Sequence, residues 1–456
     1  MPDFLLTRSH MFDTQAVEIV PYSSGWDAEE VIMGPLRNGY WEGQTQDLRA
    51  MIRDFLNFTE SMLENDQLLE DARNLKADLI IIDNVPFMRM LAVLAYRLNT
   101  SFAYAGSAFT PSLARLPISA AAYPVPVSTF TDRMTFPQRL ISYLLSIPSR
   151  FLYNFHHKDA VARYAPEMPY LDIHELELKA EVTLVEQDHI LDYPQPTLPN
   201  VIRLGGTAIC KAKELKEPYK SFVESSDQDI VVVSFGSYVL NIPEEISTKM
   251  MNAFLRLKLK IVWRVNVTSA DPQQVMTSLW IPQNDLLGHA KVKVFVSHCG
   301  KNGQYESLYH AVPMLCLPLF TDQPYNAERA RYRGFGLTAD VKTISEDDLL
   351  ALINELLDNA TYSKNIQRAS QIFKDIYGLP VERAAFWLDH VIKYGGSHMR
   401  YAGQDMPGYQ FYDLDVLGVL ILSAVFFISF CGWFLYCCLQ VLVRRLTGNR
   451  ENPKLE

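Results

Sequence analysis

The chain reads as an α/β protein, with two Rossmann-like halves in series followed by one membrane-spanning helix. Three observations predict this. Short apolar, β-branched runs alternate with helical stretches along most of the sequence, the rhythm of a parallel sheet covered by helices. A charged stretch without apolar period, Lys211 to Gln228, separates two such series. Near the end, Val416 to Val443 carries no charge at all.

In the first series ADLIIID (Ala77 to Asp83) reads as a buried strand ending in a carboxylate, and Phe87 to Leu98 as a helix leading to the strand SFAYA at Ser101. VTLVEQ (Val182 to Gln187) and NVIRLGG (Asn200 to Gly206) continue the pattern. Between them, Tyr123 to Tyr153 crowds Pro, Phe, Tyr and Leu, which suits an apolar acceptor pocket, a membrane-surface segment or simply packed helices. The second series opens with DIVVVSFGS, a strand from Ile230, then an amphipathic helix from Pro243 and the strand KIVWRV. Thr343 to Glu346 reads as a capping box ahead of the helix DDLLALINELL.

From Val416 to Val443, 28 helical residues reach roughly 42 Å, longer than a hydrocarbon core of about 30 Å. The segment should span, with tilt or an end among the headgroups. Arg444, Arg445 and Arg450 follow it while Asp413 and Asp415 precede it, so the short tail should be cytoplasmic and the body luminal or extracellular. The start, MPDFLLTRSHMFDTQ, does not read as a secretory h-region. Sequons at Asn57, Asn99, Asn266 and Asn359 fit a secretory glycoprotein.

With 48% hydrophobic and 21% charged residues, the composition excludes a disordered chain. A net charge of −10 without a Lys/Arg block argues against a nucleic-acid partner. Three of the six cysteines, Cys431, Cys437 and Cys438, fall in the C-terminal apolar segment. Cys210, Cys299 and Cys316 remain, with no metal spacing and no arguable disulfide framework.

Function concentrates in residues 280–326. The run VKVFVS (Val292 to Ser297) reads as a strand buried on both faces; it breaks at Cys299-Gly300 and becomes a helix over Asn302 to His310. Such a junction aims free backbone N–H groups and the positive end of the helix dipole at the carboxyl edge of a sheet, where open α/β folds hold phosphate. Gly300 and Gly303 would allow phosphates a close approach, His298 can donate a ring N–H, and Glu306, one turn on, can accept two vicinal hydroxyls such as those of a ribose. Taken singly, each residue has a plainer reading: the turn is common to doubly wound folds, Trp280 suits a core, and His298 a structural role. A base platform, phosphate cradle, ribose carboxylate and polar pair Asp322-Gln323 in that order is what a nucleotide sugar needs.

Across nearly the whole chain, this sequence resembles the animal UDP-glucuronosyltransferases. The resemblance rests on Trp280, Gln283, His298, Gly300, Asn302, Gly303, Glu306, Pro313, Pro318, Asp322 and Gln323, and on TDRMTF, NVIRLGG, VVVSFGS, VERAAFWLDHVIKYGGSHMR and GYQFYDLDVLGVL. It implies a GT-B architecture, two Rossmann-like domains facing across a cleft. The acceptor domain would occupy residues 1–207, a linker 208–228, the UDP-sugar domain 229–400, a juxtamembrane segment 401–415, the transmembrane helix 416–443 and a cytoplasmic tail 444–456. By the same resemblance Trp280 stacks on uracil and Gln283 holds the base and ribose region. Glu306 takes the ribose hydroxyls, Ser237, Ser297, His298, Asn302 and Gly303 surround the diphosphate, and Ser234, Gly236, Ile281 and Gly300 complete the implied donor-binding set. Arg264 lies near the nucleotide, while Asp322 and Gln323 hold sugar hydroxyls.

The implied reaction is glucuronosyl transfer from UDP-glucuronate to a hydroxyl of a small lipophilic acceptor, with inversion and with neither cofactor nor metal. UDP-glucose or another UDP-hexose is the alternative donor. The implied setting is the endoplasmic reticulum membrane, single-pass, with possible homo- or hetero-oligomers of relatives. Asp83, at the end of LIIID, matches the aspartate that orients the family's catalytic histidine. MPDFLLTRSHMFDTQAVEIVPY resembles the family's second strand, so the unit carrying that histidine is expected to be absent, and His10 is not assigned to it. Impaired activity, or a role as donor-binding partner of full-length relatives, is therefore the competing expectation. Cys299 and Ala311 stand where the family pattern has glycine.

Overall fold

The apolar runs need burial on both faces, and two parallel sheets provide it. The computed structural model describes residues 40–41, 48–119, 121–125, 128–151 and 158–448. The opening stretch with His10, parts of Tyr123 to Tyr153, and Arg450 lie outside the described residues. In the first half β1 (Ile80–Asp83), β2 (Phe102–Gly106), β3 (Thr183–Val185) and β4 (Val201–Arg203) form a parallel sheet in sequence order. The second half holds β5 (Ile230–Ser234), β6 (Lys260–Arg264), β7 (Val275–Ser278), β8 (Val292–Ser297), β9 (Met314–Cys316) and β10 (Gly336–Thr338). These are parallel in the order β10-β9-β8-β5-β6-β7. The strand order reverses between β5 and β8, and ligands of open α/β sheets bind at the carboxyl side of such a reversal.

Alternation along β5 shows why the run is uniformly apolar. Ile230 and Val232 enter one core with Phe295, Tyr305 and Phe373, while Val231 and Val233 enter the other with Phe254, Trp263 and Val296. Both faces of the strand are covered.

Several elements differ from the sequence expectation. The stretch read as a linker contains the helix Tyr219–Glu224, whose Phe222 and Val223 are buried against Ile230 and Val292. Two apolar residues among many charges were enough to anchor it. Phe87 to Leu98 is a 3-10 turn, Pro86–Leu91, before a short α-helix, Ala92–Arg97. Proline at the first turn favours that tighter start. The helix Glu346–Asp358 is capped by Ser345, whose Oγ accepts from the Asp348 N–H at 3.0 Å, and not by Thr343. Burial of Val341 and Ile344 fixes the turn two residues later than the competing frame.

Within Tyr123 to Tyr153, the helix Phe136–Phe151 turns Phe136, Leu140, Ile141, Leu144 and Leu145 outward, so the packed-helix reading does not hold there. The helix Pro380–Tyr394 packs Val391 against Ala103, Val182 and Leu184 of the first sheet, so the last helix before residue 400 belongs structurally to the first half. The chain divides after Arg400. In the unit that follows, one helix runs over Leu414–Gly448, 35 residues, longer than the apolar run alone because the helix continues into Arg444 and Arg445. Its mean hydropathy reaches 2.4 and none of its side chains is buried in protein, so it is long and apolar enough to cross a membrane.

Candidate functional site

The carboxyl ends of β5, β6, β7 and β8 gather most of the residues singled out in the sequence. After β5 the chain turns at Gly236 with φ +79°, a left-handed conformation open to glycine at little cost. The Gly236 N–H lies 3.4 Å from Ser234 Oγ. A Cβ on Gly236 would fall 2.7 Å from His298 Nε2, and one on Gly300 would fall 2.4 Å from the same atom. The two glycines therefore make the slot that holds the His298 ring.

Burial pushes the His298 pKa down to about 4, with Arg264 adding to the effect and Asp322 and the Ser234 main chain opposing it. The ring is neutral near pH 7, with one nitrogen a donor and the other an acceptor. Ser297 Oγ, fully buried, accepts from the Cys299 N–H at 3.1 Å. The helix Lys301–His310 starts at once, with Gly300 as its N-cap, one residue earlier than expected. Asn302 is exposed on its first turn. A Cβ at Gly303 would meet Phe295 at 3.2 Å, so glycine there lets the helix close onto β8.

Glu306 lies on the same helix and is 9% exposed. Its carboxylate accepts a hydrogen bond from the Gln283 side chain, which joins two predicted residues from separate elements. Burial, with Asp285 adding and the Gln283 bond opposing, raises its pKa to about 7. At the end of β6, Arg264 donates to the Gly236 carbonyl and, at 3.2 Å, to that of Ser237. Its guanidinium carbon is 5.3 Å from the centre of the Trp280 ring, which is 48% exposed. Ile281 offers a ligand only its main chain, because its side chain is 2% exposed within the core of the second half.

Beyond β9, Asp322 is exposed and accepts from Asn326 Nδ2 at 2.7 Å. Gln323 is 5% exposed, and its Oε1 accepts from the N–H groups of Leu319 and Phe320 at 2.8 and 3.1 Å. Its carbonyl thus shapes the turn, leaving the amide nitrogen for other partners.

Across from these residues, in the first half, Asp83 closes β1 and accepts from the Val85 N–H at 3.0 Å. Burial raises its pKa, the Val85 bond opposes, and Glu186 adds to the rise. Lys301 Nζ reaches the Ser107 carbonyl at 3.4 Å, a direct link between the halves.

Sequence reasoning missed a buried junction behind the site. Tyr305 on the helix after β8 donates to Asp192 Oδ2 at 3.0 Å, Arg329 pairs with the same carboxylate, and Arg333 donates to the Asp192 carbonyl at 2.8 Å. It also missed the disulfide between Cys299 and Cys316. Both depend on which strands lie side by side, which spacing along the chain does not state.

Comparison with known proteins fits this geometry. A family model described as UDP-glucoronosyl and UDP-glucosyl transferase matches residues 27–449. The chain belongs to this UDP-glycosyltransferase family. Human UDP-glucuronosyltransferase 2A3 is 32% identical over 99% of this chain and 85% of its own length. Mouse UDP-glucuronosyltransferase 1A6 is 33% identical over 88% and 76%. Among solved structures, the kitacinnamycin glycotransferase superposes with a TM-score of 0.59 at 20% identity, covering 84% of this chain and 89% of that one. The calicheamicin glycosyltransferase CalG4 gives 0.56 at 15% identity, covering 85% and 89%. The fold of this UDP-glycosyltransferase is therefore GT-B, with one long apolar helix at its C-terminal end. By family it is a glycosyltransferase, using a UDP-sugar donor and an acceptor.

Proposed function

We propose that this UDP-glycosyltransferase transfers glucuronate from UDP-glucuronate to a hydroxyl of a small lipophilic acceptor, inverting the anomeric carbon. The observation that carries the donor half of this reading is the cradle at the β5/β8 strand reversal. There neutral His298 stands between two glycines at the start of a helix, and Glu306 follows one turn later on Gln283. The diphosphate would lie on the first N–H groups of the helix Lys301–His310 and on His298, where the helix dipole and a ring donor favour negative charge. The ribose would lie on Glu306 and Gln283, and uracil on the exposed face of Trp280 with Arg264 behind it. Asn302, Asp322 and the amide nitrogen of Gln323 are left for phosphate and sugar.

In the reaction, the acceptor oxygen attacks the anomeric carbon as its bond to the diphosphate breaks and the acceptor proton passes to a base. Donors already aimed at the leaving diphosphate stabilise the charge that builds there. Asp83 is proposed as the carboxylate that would orient the family's catalytic histidine, to which no residue of this sequence is assigned. Glucuronate is preferred over glucose because the relatives above are named UDP-glucuronosyltransferases. The body is proposed to lie in the lumen of the endoplasmic reticulum, since Arg444 and Arg445 close the apolar helix on its far side and basic flanks stay cytoplasmic. Titration calorimetry of UDP into the full chain tests the donor site, and turnover against a panel of UDP-sugars tests the sugar. No heat from a folded sample overturns the site, and faster turnover with UDP-glucose overturns the donor.

A further inference from the structure

The turn that carries His298 is held from beneath by a covalent bond. Cys299 sits between His298 and Gly300 with φ +58°, a left-handed conformation that a side-chain-bearing residue adopts only at a cost. Three restraints meet on it. Its N–H donates to Ser297 Oγ at 3.1 Å, its carbonyl accepts from Asn326 Nδ2 at 3.2 Å, and its sulfur is bonded to Cys316 on β9. Both cysteines are fully buried, and Cys316 pairs in register with Ser297, directly beside the turn. The sequence separation of 17 closes a ring around the helix Lys301–His310, so Asn302, Gly303 and Glu306 all lie inside the cross-linked loop.

We propose that the Cys299–Cys316 cystine is a positioning element of the nucleotide site, holding the left-handed turn that aims His298 and the first N–H groups of the helix at the diphosphate. The inference rests on the donor-site reading above. The side chain of Cys299 is fully buried in the core of the second half. Its effect passes through its neighbours: a change of φ at 299 swings His298 out of the slot between Gly236 and Gly300 and tilts the helix start with it. Without the tether, the hydrogen bonds to Ser297 and from Asn326 and the surrounding core are left to oppose relaxation of φ to the ordinary negative region, where the cradle is lost.

The test uses the full chain and UDP as the probe. Unfolding the protein in an alkylating reagent without reductant, followed by peptide mass spectrometry, should recover residues 299 and 316 as one cross-linked pair. Two alkylated thiols would overturn the inference. Cys316→Ala should weaken UDP binding roughly tenfold, the factor that corresponds to about 1.4 kcal/mol, of the size of one left-handed residue. Adding Cys299→Gly to that variant should bring the dissociation constant back to within about twofold of wild type, because glycine holds the turn without a tether. The thermal midpoint should stay lowered in both, since neither has the cross-link. That split between affinity and stability separates positioning from simple stapling. Equal affinity of Cys316→Ala and wild type would overturn the inference, as would a double variant no tighter than the single.

Should Cys316→Ala not fold, wild type unfolded with a phosphine, refolded in its presence and shown by alkylation and mass spectrometry to hold both thiols gives the same comparison, the cystine becoming two thiols while the phosphine takes up the oxygen of water as its oxide. The reduced protein should bind UDP roughly tenfold more weakly, and unchanged binding would overturn the proposal. A wild-type protein that binds no UDP at all sinks the nucleotide reading itself, an outcome distinct from normal wild-type binding with indifferent variants.

Discussion

Glu306 is a buried carboxyl whose pKa stands at about 7, well above its ordinary value of 4.5. Ribose hydroxyls would donate to its ionised form, so binding is coupled to loss of a proton. UDP affinity should therefore rise with pH up to about 7 and level off above it, by at most about tenfold per unit. Glu306→Gln should flatten that slope to the part contributed by the terminal phosphate of UDP, whose second pKa is about 6, and Glu306→Ala should weaken binding by about 1.5–3 kcal/mol, roughly ten- to a hundredfold. Calorimetry across the pH range decides, and a Glu306→Gln slope equal to that of wild type places the titrating group elsewhere. His298 gives a stability test of its own. Its pKa falls from 6.5 unfolded to about 4 folded, so the unfolded chain binds more protons between those values. Its contribution to stability is full above 6.5 and is lost as pH falls toward about 4. Glu306 slopes the other way, its raised pKa removing stability as pH rises through about 7, so the wild-type curve blends the two. Denaturant unfolding of His298→Gln beside wild type isolates the first slope: their stability difference should change across that window and stay constant above it.

At the scale of elements, the sequence made the strands legible because burial on both faces forces uniform apolar runs such as IVVVS and VKVFVS. It made Glu306 legible because helical spacing alone turns that position back toward the strand end. Its partner Gln283 was expected near the ribose but not on the carboxylate, since that contact depends on how two helices dock. Two overlapping frames, Thr343 with Glu346 and Ser345 with Asp348, both fit a capping pattern, and only the burial of Ile344 selects the second. Spacing suggests room for phosphate at Gly300 and Gly303, and only the structure adds that Gly300, with Gly236, makes room for an imidazole and Gly303 for a helix on its strand. Gly236→Ala accordingly combines a strained φ with displacement of His298. It should cost about 1–2 kcal/mol of stability in denaturant melts and weaken UDP binding by roughly tenfold or more. Unchanged UDP affinity would remove His298 from the cradle.

For the whole molecule, the division after Arg400 separates a body with its own cores from a unit dominated by the helix Leu414–Gly448. Ending the chain before Leu414 should move the body from the membrane pellet to the alkaline-carbonate supernatant, and a truncated chain that stays in the pellet would show a second attachment. The exposed Phe136, Leu140 and Leu144 are where to look for it. Composition was enough to find the apolar helix, while the return of Pro380–Tyr394 to the first sheet was hidden, because nothing local tells a helix which sheet it will cover. The buried cystine also carries information about geography. Cytosolic thiol reductants keep cysteines as thiols, whereas compartments behind a membrane let disulfides form and persist. Residues 299 and 316 therefore record where the body folded: lysing cells directly into denaturant with a thiol-blocking reagent, so that these buried positions are reached, should leave the pair unlabelled if the body matured on the luminal side, and label both if it matured in the cytosol. The chain thus carries its own topological marker, written in sulfur and readable without any added tag.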